Sequence, residues 1–236
     1  MTRFFGAMTG WTLSKNTSPT LVPKKRPKKF NAEKIHPMKL YHRDDCPFCW
    51  KVRLAFLFAN ASPQMIPVER GTKHPDIIKL SKTGTIPVFV DGDLVIAQSS
   101  VLLEYINDAL ADGKLLPATP AGKVAVRCLC YYSDNSVGPA LRGLVFERRD
   151  KSEDEQDKDL IAKSDQAWRA CLDVLEAGFV GPFMCGEFSM ADCTFLPRLA
   201  LAERYGACVD ERHPSLHKYW QTARQSELYL NSFAHD

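Results

Sequence analysis

Two cysteines separated by two residues, Cys46-Pro47-Phe48-Cys49, are the side chains of this sequence best placed for covalent chemistry. Met38 to Arg43, just before them, alternates apolar and polar residues as a strand does, and Trp50 to Phe58, just after, repeats apolar residues at helical spacing. The motif therefore sits where a strand hands over to a helix. A sulfur at that point meets backbone N–H groups that the helix leaves unused, together with the positive end of its dipole. Both favour the thiolate, which is the nucleophilic form. Pro47 suits the first helical turn, where its missing N–H would have had no partner, and it points to an exposed first sulfur.

A C-x-x-C motif alone has three readings: a redox dithiol, half of a zinc site, or two buried cysteines. Zinc would need a second ligand pair at suitable spacing. Cys128 and Cys130 are spaced C-x-C in a distant apolar stretch, and His42 is a single further candidate, so no metal is expected. The strand-to-helix setting favours redox or nucleophilic use of Cys46. Cys49, three residues on, is either a resolving thiol or a small side chain packed inward. Asp44 and Asp45 should raise the Cys46 pKa, with Arg43 and Lys51 placed to offset them.

The elements that must position this motif follow from periodicity. After a first strand (38–43) and a helix (47–60), Gln64 to Glu69 reads as a second strand and Pro75 to Ser81 as a short helix. Ile86-Pro87-Val88-Phe89-Val90 and Leu94-Val95-Ile96-Ala97 flank Asp91-Gly92-Asp93 as a hairpin. Ser99 then reads as the cap of an amphipathic helix carrying Leu102, Tyr105 and Ile106. This pattern predicts a four-stranded mixed sheet with helices on its faces. Leu115 to Pro120, with two prolines, marks a linker. Beyond it helices are expected over 121–146, 154–179, 189–205 and 213–224, giving an all-α second domain. The charged stretch 147–158 reads as a solvated connection or an exposed helix end, and Ser189 to Asp192 as a capping box.

Composition sets further bounds on 236 residues, 45% of them hydrophobic and 25% charged. Residues 1–37 hold eight of the 31 Lys and Arg and one acid, Glu33, which leaves 23 bases against 27 acids elsewhere. The body is mildly acidic, so no nucleic-acid binding is expected of it. The extension 1–37 is expected to be disordered; its basic cluster reads as a nuclear signal, an anionic-surface contact or a solvated tail without function. Its first residues resemble a transit peptide. No apolar run suits a bilayer span or a secretory signal. Eight cysteines in a chain large enough to bury its own core are expected to be reduced, in a cytoplasm-like compartment.

From about residue 38 to 230 the sequence resembles the cytosolic glutathione transferase superfamily. Cys46-Pro47-Phe48-Cys49 matches the position of its catalytic residue. Thr85-Ile86-Pro87-Val88 is similar to its cis-proline segment, Gln98-Ser99-Ser100 with Leu103 to Ile106 to its γ-glutamyl-binding turn and helix, and Gly186 to Asp192 to its second-domain helix cap. The resemblance implies a thioredoxin-like, glutathione-binding α/β domain over 38–114 and an all-helical domain over 121–230. The Cys-Pro-Phe start resembles the omega-like and dehydroascorbate-reductase classes. The second cysteine, followed by Trp50-Lys51-Val52-Arg53, resembles two-domain glutaredoxins and the type 2 prostaglandin E synthases.

On this resemblance Cys46 and Cys49 are the catalytic candidates, and Phe48, Ile86, Pro87, Gln98 and Ser99 the glutathione-binding ones. Lys73 or His74 would meet the glycyl carboxylate. Tyr131, Tyr132 and Trp168 are candidates for a second-substrate pocket between the domains, or else core residues. The expected activity is a thiol transferase or reductase using a Cys46–glutathione mixed disulfide, with glutathione as co-substrate, no metal, a small hydrophobic or disulfide second substrate, and a homodimer. The rivals are conjugation of glutathione to electrophiles and a non-catalytic, transferase-like regulatory protein of the stringent-response or chloride-channel kind.

Overall fold

The computed structural model describes residues 37–72 and 74–233. The expectations placed on residues 1–36, and on Lys73 as a carboxylate contact, lie outside the described residues.

Four strands, β1 (Lys39–His42), β2 (Gln64–Pro67), β3 (Val88–Asp91) and β4 (Leu94–Ile96), form one mixed sheet in the order β2-β1-β3-β4. β1 pairs parallel with β2 and antiparallel with β3, and β3 pairs antiparallel with β4. This is the expected thioredoxin-like sheet. β1 is an inner strand, and Leu40, Tyr41 and His42 are all buried because side chains on both faces are covered. The helices of this half are α1 (Pro47–Phe58), α2 (Pro75–Leu80) and α3 (Ser99–Ala109).

The second half is helical: α4 (Pro120–Tyr132), α5 (Gly138–Asp150), α6 (Lys158–Gly178), α7 (Met190–Arg204), α8 (Pro214–Ala223) and α9 (Glu227–Leu230). One core cluster runs through both halves, from Leu40 and Phe89 to Leu199 and Trp220. α1 is why. It packs on both α3 and α7, and eight consecutive residues, Cys49 to Phe56, are buried. Apolar spacing alone suggested one buried face; instead the helix is enclosed nearly all round. Lys51 and Arg53 are therefore buried too, and each needs partners within the fold.

The helix expected over 121–146 is interrupted. A π-helical turn, Ser133–Val137, separates α4 from α5. Pro139 supplies no N–H for the carbonyl four residues back, so the ladder must adjust there, and a widened turn is the usual local solution. The stretch 147–158 begins as a helix end, since α5 runs to Asp150, but Glu147 is buried rather than exposed, accepting from Lys151 Nζ at 2.8 Å and from Asp157 N at 2.8 Å. The Ser189–Asp192 capping box is present, and buried Asp192 also accepts from Met184 N at 3.0 Å and from the Tyr219 hydroxyl at 2.9 Å.

Candidate functional site

Cys46 is the N-cap residue of α1, with Pro47 in the first helical position. Its N–H bonds the Arg43 carbonyl at 3.3 Å, closing the turn between β1 and α1. Buried Arg53 fixes that turn from inside, donating to the Arg43 carbonyl at 3.3 Å, the Asp44 carbonyl at 3.0 Å and the Ser232 carbonyl at 3.1 Å. The acids feared as a counterweight are neutralised. Asp44 lies 3.2 Å from His42 Nδ1 and 3.7 Å from Arg53. Asp45 pairs with Arg43 at 2.6 Å, with Arg70, and with Arg149 at 3.6 Å. Lys51 does not offset them: its ammonium is buried against Asp134 at 2.6 Å and Ser100 Oγ at 3.3 Å.

Both motif cysteines are free thiols and both are buried. The expectation of an exposed first sulfur is corrected to this extent: Cys46 is 8% exposed, its open side lining a cleft. Its pKa is lowered to about 6, chiefly by a hydrogen bond from the Cys49 thiol, aided by the N–H groups of Cys49 and Phe48 and by the Arg43 charge, against the opposing effect of burial. Cys49 is fully enclosed, and burial first, then the neighbouring Cys46, push its thiol well above the ordinary value. At neutral pH the arrangement is a thiolate on Cys46 held by a protonated Cys49.

The cleft beside Cys46 has a volume of about 280 Å³ and is bounded by Phe48, Gly138, Arg142, Arg149 and Arg198 among others. Phe48 is half-buried there, with Lys51 Nζ 5.3 Å and Arg198 Cζ 4.8 Å from its ring centroid. A second cavity of about 600 Å³ lies across Arg43, which lines both, and takes in Ile86, Thr85 and His74. The Ile86–Pro87 bond is cis. His74 caps α2, its Nδ1 accepting from Asp76 N at 3.2 Å.

Gln98 and Ser99 line neither cavity. The N-cap of α3 is Gln98, whose side chain makes no cap bond, and buried Ser99 is the first helical residue; the reading of Ser99 as the cap is corrected, because the chain enters helical geometry one residue earlier. The aromatic candidates for the second-substrate pocket are not in the cleft. Trp168 is core, bonding the Ala207 carbonyl at 2.8 Å, Tyr131 is 70% exposed in a groove beside α3, and Tyr132 is half-buried.

Sequence reasoning missed Asp134, Arg142, Arg149 and Arg198. Signals were present. Arg198 interrupts an apolar run in α7, and Gly138, Arg142, Val145 and Arg149 recur at helical spacing on α5.

Comparison with known proteins bears on the family and the fold. Residues 40–114 match the family model described as glutathione S-transferase, N-terminal domain, and residues 120–227 that of the C-terminal domain. Glutathione S-transferase 3 of Zea mays is 30% identical over 211 residues, covering 84% of this chain and 94% of its own. A stringent starvation protein A homolog of Coxiella burnetii is 24% identical over 200 residues, covering 84% and 91%. Among solved structures, the theta class glutathione S-transferase of Xanthomonas axonopodis pv. citri with glutathione bound superposes with a TM-score of 0.73 at 20% identity, covering 84% of this chain and 98% of that one.

Proposed function

The chain belongs to the glutathione S-transferase family, and from that premise we propose a Cys-type member, omega-like or glutaredoxin-like, that acts as a thiol transferase or reductase through Cys46. As a family member it is a glutathione transferase, with glutathione as co-substrate. The observation that carries the finer reading is the reduced sulfur at the start of α1, held as a thiolate by Cys49 and two backbone N–H groups.

In this reading the Cys46 thiolate attacks the glutathionyl sulfur of a mixed disulfide. A Cys46–glutathione S–S bond forms, the substrate S–S bond breaks, and the departing thiolate takes a proton from solvent. The thiolate of a second glutathione then attacks the glutathionyl sulfur on Cys46, giving glutathione disulfide and restoring Cys46. Cys49, protonated and enclosed, serves as the hydrogen-bond donor that holds the thiolate rather than as the resolving thiol. Ile86 and Pro87, from the 38–114 domain, would present backbone to glutathione, with Gln98 and Ser99 nearer its γ-glutamyl end and Phe48 beside its sulfur. The 121–230 domain supplies the far wall of the cleft. No helix among the described residues is long and apolar enough to cross a membrane, and eight cysteines of which those described are all free thiols fit a cytoplasmic enzyme. A homodimer would use the face of α3 and α4, where exposed Val101 and Tyr131 share an open groove.

Glutathione-dependent reduction of a glutathionyl mixed disulfide and of dehydroascorbate is the test. Cys46→Ser is expected to lower the rate by at least about a thousandfold; an unchanged rate sinks the mechanism. The similarity to the maize transferase favours conjugation as a second reading, which the same preparation tests with an aromatic electrophile. The similarity to stringent starvation protein A homologs favours a regulatory binder, which wild-type protein that binds glutathione yet turns over none of these substrates would support.

A further inference from the structure

We propose that the cleft beside Cys46 contains an anion site in which Arg198 and Arg142 hold a carboxylate on the departing half of the second substrate. The word substrate rests on the disulfide-exchange reading above; the anion site rests on the cleft itself.

Four arginines line the cleft, Arg43, Arg142, Arg149 and Arg198, against two acids, Asp45 and Asp134. Those acids are already committed. Asp45 is shared among Arg43, Arg70 and Arg149, and Asp134 takes Lys51 at 2.6 Å and Ser100 at 3.2 Å. Arg142 forms no ion pair among the described residues. Arg149 is also paired, with Asp150 at 2.8 Å, so the surplus positive charge of the wall is that of Arg142 and Arg198.

Arg198 gives the sharper sign. It is 6% exposed, and its one bond to a carboxylate, Asp134, is long at 3.4 Å. Its Nε is buried with no hydrogen-bond partner. A guanidinium offers five N–H donors, and leaving buried donors unfilled is costly. Arg142 lies close enough to oppose the charge of Arg198. The residues around Arg198 shape a seat for it: the Phe48 ring lies 4.8 Å away, and a Cβ on Gly138 would stand 2.8 Å from Nη2. A planar guanidinium so seated suits a carboxylate, which accepts two parallel hydrogen bonds. An apolar second substrate, as the resemblance suggested, would strand these donors further.

The chemistry gains as well. When Cys46 takes the glutathionyl sulfur, the electron pair of the broken S–S bond leaves on the other sulfur. The nearby positive charges lower the cost of that departing thiolate. A carboxylate two or three carbons away would be drawn to Arg198 and Arg142. Glutathione itself also carries carboxylates, so the test must separate the two sources.

Two measurements on the full chain do so. The first compares alkylation of Cys46 by iodoacetate, an anion, with alkylation by neutral iodoacetamide, read by peptide mass and normalised to the same ratio on β-mercaptoethanol. The expected enrichment for iodoacetate is on the order of tenfold, the worth of one charge-assisted hydrogen bond. Exposed Arg142→Gln should remove most of it, and Arg198→Lys should weaken it. A ratio equal to that of the free thiol overturns the site. The second compares kcat/KM for glutathione mixed disulfides of 3-mercaptopropionate and 3-mercaptopropanol. The carboxylate is expected to be preferred, with the preference lost in Arg142→Gln. Equal losses on both disulfides, with a raised KM for glutathione, would assign the arginines to glutathione and overturn the proposal. If neither disulfide reacts while iodoacetate is still favoured, the anion site stands and the disulfide-exchange reading falls.

Discussion

The two cavities that meet at Arg43 are built in opposite ways. On one side, Thr85, Ile86 and cis Pro87 come from a single short stretch, with His74 at the start of α2 nearby. On the other, the wall is assembled from the start of α1, the π-helical turn, α5 and α7, and its polar groups are the charged ends of long side chains. The first cavity is drawn from residues between 43 and 86, elements that lie close together in sequence. A site made of side-chain ends depends on helices separated by some 150 positions in sequence and brought together by packing. Within that second wall, the ion pair of Lys51 with Asp134 joins the two halves of the fold, because Lys51 belongs to α1 and Asp134 to the helical half.

Breaking that joint is the largest single test of the contrast. Lys51 is 1% exposed, so Lys51→Met leaves Asp134 with Arg198 and Ser100 only, and should cost about 3 kcal/mol of stability. Denaturant titration measures this; a loss under about 1 kcal/mol would make the pair incidental. The surviving enzyme should lose preference for an anionic alkylating agent while keeping its KM for glutathione, since only one wall has moved.

Ser99→Ala probes the proposed γ-glutamyl contact, which lies outside both cavities. If Ser99 serves the γ-glutamyl carboxylate, KM for glutathione should rise roughly tenfold, the value of a hydrogen bond to a charged group. The ratio of iodoacetate to iodoacetamide reactivity should not move. An unchanged KM would remove Ser99 from the glutathione site.

The smallest effect concerns the Cys46 thiolate, which lines the cleft with the arginines. Cys46 has a pKa of about 6, lower than a free thiol, so its alkylation should be fast above that pH and fall away as pH drops through it. Cys49→Ala deletes the leading hydrogen bond to the sulfur, so the midpoint moves upward. Near pH 6 the alkylation rate should fall by roughly a factor of three, while at alkaline pH the two proteins should match. A midpoint that stays in place would show that the backbone N–H groups suffice.

The fold was legible where local patterns are strong. The Cys46 motif, the hairpin around Gly92 and the capping box of α7 each rest on residues near one another in sequence. The π-helical turn was not read, although Gly138-Pro139 lies where the helix ladder must fail, because apolar spacing continues across it. Aromatic residues drew the second-substrate pocket to Tyr131, Tyr132 and Trp168, and packing turned Trp168 into the core and Tyr131 to the surface. The burial of α1 on nearly every side was equally invisible, since a helix does not announce how many neighbours it will have.

By itself, then, the sequence determined which sulfur stands at the start of α1. A cysteine before a proline at a helix start meets backbone N–H groups that the helix leaves unused, wherever the rest of the chain lies. Tertiary structure decided what surrounds that atom. Burial enclosed Cys49 and made it a donor, Arg53 locked the turn, and the packing of α5 and α7 against α1 set Arg142 and Arg198 beside the sulfur. Long-range packing controls burial and the meeting of distant charges, and these in turn fix the pKa of the thiol and the character of the cleft.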